Sequence, residues 1–240
     1  MTNYELFVQI NDKMRTNIEK IKNNNKIDDI NKCISFTEDL SAWLFFCGEF
    51  KEYKLVKAAQ DECIKSILMC IQGLYKEAMM SLRQFLEHML FALFLSTNDY
   101  NYRLWKRGKY DMSWSQIVDS EKGIFAKEYI NSYALDIDDS RSIEFVTIAK
   151  NIYRECSEYV HGNYDKLELL TENVEYIEEN VIRYIEIFES VRYIISVSLL
   201  IRFREIFYDK EILVKLESIV MDNLGTLPEV QALFDEQEGE

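Results

Sequence analysis

Glycine, proline and histidine are scarce in this 240-residue chain, which holds seven, one and two of them. A globular sequence carries about 7% glycine and about 5% proline. So few breakers leave little room for the tight turns that many short strands need, and they favour long helices. The one proline, Pro228, lies near the C-terminus and interrupts nothing central. Scarcity also removes whole classes of chemistry. There is no glycine-rich phosphate loop, no G-x-S-x-G elbow, no H-E-x-x-H pair and no C-x-x-C pair.

The five cysteines, Cys33, Cys47, Cys63, Cys70 and Cys156, are odd in number and widely spaced. With two histidines they make a poor zinc cage, so neither a metal nor a cofactor is expected. They read instead as reduced, mostly buried thiols of a cytoplasmic protein. The first residues, Met1-Thr2-Asn3-Tyr4-Glu5, lack a basic stretch followed by an apolar one, so no signal peptide is expected. The greasiest run, Met79 to Leu95, contains Arg83, Glu87 and His88. Those groups are costly in lipid, and the run is slightly short for a span, so no membrane is expected.

What the chain has is apolar mass and negative charge. Apolar residues make up 48%, enough for a real core, and the net charge is −14. That charge repels nucleic acid at long range and excludes a general DNA- or RNA-coating role, although a local basic patch can still act.

The periodicity predicts an all-α fold. Leu6, Ile10, Met14 and Ile18 mark a narrow helical stripe over 4–23, and Asn23-Asn24-Asn25 breaks it. A second helix is expected over 27–48, ending on Gly48. Together these two predict an N-terminal hairpin, residues 1–50, that covers part of the core. Helices at about 51–72 and 74–96 meet at Gly73, and the second half of the latter is apolar nearly all round, as a central helix is. Residues 97–140, with Trp105, Trp114 and several tyrosines, read as an inserted cap within a bundle over 51–208. Asp138 to Ser140 are candidate caps for a helix running to about 161, stopped by Gly162-Asn163. Thr171 is the candidate N-cap of a helix over 171–208. Short C-terminal helices and an acidic tail fill 209–240.

Each histidine follows an arginine, and helical geometry separates the two cases. From Arg83 to His88 is five residues, a rotation of about 140°, so the side chains point apart. From Arg154 to His161 is seven residues, two turns less about 20°, so both lie on one face roughly 10 Å apart along the axis. Glu158 lies between them and Ser157 is adjacent. An arginine that holds a phosphate and a histidine that passes protons near neutral pH suit RNA cleavage without a metal. The same residues also suit a plain Arg154–Glu158 surface pair and a His161 cap on the helix end. Arg83 and Glu87, four apart in the greasy helix, must be paired if buried.

The segment Arg154-x6-His161 resembles the signature of the HEPN superfamily, an arginine and a histidine with four to six residues between them at the end of a core helix. Gly73-Leu74-Tyr75-Lys76-Glu77-Ala78, then Leu82-Arg83-Gln84-Phe85-Leu86-Glu87, looks like the helix pair that precedes it, and Ser157-Glu158-Tyr159-Val160-His161-Gly162 resembles the signature-helix ending. The resemblance spans roughly 54–205. It implies a bundle of four to five helices that pairs into a homodimer, and a metal-independent endoribonuclease acting as toxin or effector in phage defence. Arg154 and His161 would then be catalytic, Glu158 or Ser157 supporting, and Arg83 and Glu87 orienting. RNA would be the substrate, and an antitoxin or another defence protein the partner. Active members often carry Asn, Asp or His directly after the arginine, where this chain has Glu155. Other members have lost activity and bind a partner protein or nucleotide ligand.

Overall fold

A computed structural model describes residues 3–48, 52–160 and 174–235. Among them there is no strand, and the fold is all-α. Among the described residues eleven α-helices follow one another: α1 (Asn3–Lys22), α2 (Ile27–Phe46), α3 (Tyr53–Gln72), α4 (Tyr75–Ser96), α5 (Asp99–Trp105), α6 (Trp114–Ile117), α7 (Lys127–Tyr133), α8 (Ser142–Val160), α9 (Glu178–Arg202), α10 (Lys210–Leu224) and α11 (Pro228–Asp235). Pro228 opens α11, where its missing N–H costs nothing. No helix among the described residues is long and apolar enough to cross a membrane.

The centre is α4. Leu82, Phe85, Leu86, Met89, Leu90 and Leu93 are completely buried on it. Each such side chain contributes about 1.5–3 kcal/mol by leaving water. The helix forms a hairpin with α3 and packs on α8 and α9. The second half of α9 is likewise buried all round from Ile194 to Ile201. Residues 97–140 add Ile117, Val118, Ile124, Phe125 and Ile130 to the same core, and α10 adds Leu213, Leu216, Val220 and Leu224.

Both N-terminal helices rest on α3, and α2 also touches α9 and α10. The stripe on α1 is only partly covered: Leu6 is 45% exposed, and Ile21 is the apolar residue buried at the far end. Asn17, buried on α1, donates to the carbonyl of Gln72 at 2.9 Å. That bond locks α1 onto the α3–α4 turn. Gly73 makes this turn with φ +85°, the left-handed conformation that glycine adopts without steric cost. The preceding helix break differs from Gly73: Gly48 follows α2 with φ +81° and open space around it.

The expected helix over 171–208 is shorter at both ends. Thr171 lies outside the described residues, and residues 174–177 are not helical. Tertiary hydrogen bonds explain the late start. The Tyr75 hydroxyl accepts from the Ile177 N–H at 2.8 Å and donates to its carbonyl at 3.3 Å, holding Ile177 extended. Only then do Glu178 and Glu179 begin α9, at the end where the helix dipole favours acids. At the far end Phe203 leaves helical geometry, and Arg204–Tyr208 winds into a tighter 3-10 turn. That turn directs Arg204 inward to a two-pronged ion pair with Asp136, at 2.7 and 2.8 Å from one carboxylate oxygen. The start signal before α8 is as expected: the Asp138 carboxylate accepts from the Ser140 N–H at 2.8 Å and caps a short turn leading into the helix.

Candidate functional site

Helix α8 sorts its residues by rotation. Phe145, Ala149, Ile152, Cys156 and Tyr159 form its buried stripe. Arg154 stands two residues from both Ile152 and Cys156, about 200° away from each, so it faces solvent, and it is exposed. Glu158, one turn further, is half-buried on the same side. His161 and Gly162 lie outside the described residues, immediately after the last described turn of α8.

Arg83 and Glu87 face inward from α4 and form the pair that their spacing predicts. The Arg83 Nε and Nη2 groups donate to Glu87 Oε1 at 3.1 and 3.0 Å. The side chains are 18% and 10% exposed, so the pair is largely desolvated and neither charge is tolerable alone. Arg83 Nη2 also donates to the Tyr153 hydroxyl at 2.5 Å, with its guanidinium carbon 4.4 Å from that ring's centroid. On the phenol lies the indole of Trp114, stacked at 4.3 Å with 12° between planes. Thus α4, α8 and α6 are tied together through Tyr153, the residue directly before Arg154. Burial raises the Tyr153 phenol above its ordinary pKa, so it stays protonated at neutral pH.

Ser157 has a local role. Its hydroxyl donates to the carbonyl of Tyr153 at 2.5 Å, one turn back on α8. Glu155 turns away from Arg154 towards α9, where its Oε1 lies 2.7 Å from Arg183 Nη2 and accepts from Arg183 Nε at 3.1 Å. The carboxylate that follows Arg154 is therefore partly neutralised by a guanidinium on another helix. Burial first, and the Glu155 charge second, push the Cys156 thiol up to about 12, so it is an inert core group. All five cysteines are free thiols, four of them buried.

His88 belongs to a different environment. It is half-buried on α4, and its Nδ1 is enclosed without a hydrogen-bond partner among the described residues. Burial lowers its pKa against the opposing pull of Glu87 and Glu62. The structure thus brings Arg83, Glu87 and Tyr153 together behind Arg154 and leaves His88 unbonded at Nδ1. Tyr153 and Trp114 were not singled out by spacing. The only local signal for Tyr153 is its place four residues before Ser157, while the stack joins positions 39 apart. Among the described residues no cluster of His, Cys, Asp or Glu could hold a metal ion. No protein-family model, no curated protein and no solved structure matches the chain.

Proposed function

We propose that the chain is a HEPN-like, metal-independent endoribonuclease, a homodimeric toxin or effector of a phage-defence system. The observation that supports this reading most is the outward placement of Arg154 on a braced helix end, with Glu155 drawn off to Arg183. The Arg83–Tyr153–Trp114 stack fixes the backbone just before Arg154, as a group that must meet a phosphate requires. His161 follows on the same helical face by sequence.

In the proposed reaction the 2′-hydroxyl oxygen of RNA attacks the adjacent phosphorus. The bond from phosphorus to the 5′ oxygen breaks, leaving a 2′,3′-cyclic phosphate and a 5′-hydroxyl. His161 moves the proton, and Arg154 stabilises the charge gathering on the phosphoryl oxygens. Arg83 and Glu87 act through Tyr153 as positioning residues. Ser157 holds its own helix, and Glu158 borders the site.

A second reading is a non-catalytic helical module that binds a partner. It is favoured by Phe45, 79% exposed, which with Leu44, Tyr53 and Val56 lines an apolar groove between α2 and α3. Expression in bacteria separates the two readings. The ribonuclease reading predicts growth arrest with fragmented RNA, relieved by His161→Ala. Arrest that persists in the folded variant, or stoichiometric co-purification of a neighbour without RNA cleavage, favours the module.

A further inference from the structure

A cleft of about 640 Å³ lies where the end of α4 meets α5, α6 and α7. Its size is that of a small-molecule site. The walls are flat and apolar at Phe94 and Tyr129, and amide-bearing at Asn98, Asn101 and Gln116. The amides are already partly committed, and in one sense. Gln116 Oε1 accepts from the Tyr110 hydroxyl at 2.5 Å. Asn98 Oδ1 accepts from the Asn101 backbone N–H at 2.9 Å as the cap of α5. What both side chains still offer is their NH2 donors. The Tyr129 hydroxyl is buried and has no hydrogen-bond partner among the described residues. Shut off from solvent in the open cleft, that hydroxyl is not offered to a ligand there, and Tyr129 contributes its ring.

The rim is acidic on balance, with the carboxylates of Asp119 and Glu121 against the ammonium of Lys122. Asp119 spends one oxygen on the N–H groups of Glu121 and Lys122, at 2.9 and 2.8 Å, closing the turn at the cleft mouth. Glu121 is exposed beside it. A phosphate gains nothing from this set of charges. A flat, uncharged ring with acceptors on one edge and donors on another does.

We propose that this cleft binds the ring of a guanine nucleoside. Guanine presents N7 and O6 as adjacent acceptors, which match the amide NH2 groups. Its N1–H and N2–H2 donors match a carboxylate, which Glu121 supplies. Phe94 and Tyr129 provide the apolar faces on which a base stacks. Adenine places a donor where guanine has O6, so it fits the amide side less well. This assignment stands independently of the ribonuclease reading.

Calorimetric titration of the full chain with guanosine, adenosine and guanosine monophosphate tests it. Guanosine is expected to bind, adenosine to bind about tenfold more weakly, and the monophosphate no more tightly than guanosine. Gln116→Glu keeps the acceptor for Tyr110 and Asn98→Asp keeps the acceptor that caps α5, while each removes the NH2 donors. Each is expected to weaken guanosine binding about tenfold with an unchanged circular dichroism spectrum. Millimolar guanosine without measurable binding overturns the proposal. So does tighter binding of adenosine or the monophosphate, or a folded variant that binds guanosine as tightly as the wild type.

Discussion

The guanidinium of Arg83 stands 4.4 Å from the centroid of the Tyr153 ring while its Nη2 group bonds the same residue's hydroxyl. One side chain thus holds the face and the tip of a phenol, and Glu87 holds the guanidinium from behind. The stack on Trp114 completes a column running from α4 through α8 to α6. This column is the brace for the helix end that carries Arg154.

Breaking the column should be costly, because its ion pair is largely out of water. Glu87→Ala leaves the Arg83 charge largely desolvated and is expected to destabilise the fold by about 2–4 kcal/mol. Glu87→Gln keeps an acceptor and should cost less. Urea denaturation measures both, and Trp114 reports the local effect as a red shift of tryptophan emission. Equal losses for the two variants would mean that the charge pairing contributes nothing.

Gly73→Ala tests the α1 lock. A Cβ at this left-handed position would sit 2.7 Å from Asn17 Nδ2 and 2.8 Å from the Glu175 carbonyl oxygen. The expected cost is about 2–3 kcal/mol, from backbone strain together with the displaced hydrogen bond of Asn17. Gly48→Ala shares the positive φ but meets open space, and should cost only the strain, about 1 kcal/mol. Melting temperatures that fall equally would show that the contacts around Gly73 are unimportant.

Stability should also fall on mild acidification because of His88. Its folded-state pKa is lowered by burial, so below the ordinary histidine value of 6.5 the unfolded chain takes up a proton that the folded chain refuses. The penalty is absent well above 6.5, grows as the pH drops beneath it, and levels off below the folded pKa. His88→Leu removes it, while His161 is common to both proteins. Urea midpoints from pH 8 to pH 5.5 should therefore decline more steeply for the wild type than for His88→Leu. Parallel curves would place the proton uptake elsewhere.

The sequence carried the local geometry well and the tertiary geometry poorly. Counting residues placed Arg154 and Glu158 on one side of α8 and paired Arg83 with Glu87, because both relations are set by 100° per residue. It pointed to Gly73 and Gly48 as helix ends, where the chain does turn left-handed. It missed the start of α9, since the hydroxyl that holds Ile177 extended belongs to Tyr75, 102 residues away. It missed the Trp114–Tyr153 stack for the same reason. It marked Glu155 as a departure from the pattern of active family members but not its partner Arg183, which lies on another helix.

The central claim is that Arg154 and His161 cleave RNA without a metal. The most direct test is to incubate the purified chain and its folded Arg154→Ala and His161→Ala variants with an oligoribonucleotide in excess chelator, and to identify the new 3′ ends. The account predicts cleavage by the wild type leaving 2′,3′-cyclic phosphates, and a loss of about 100-fold or more in each variant. Wild-type protein that leaves the RNA intact, or variants that cut as fast as the wild type, would contradict it.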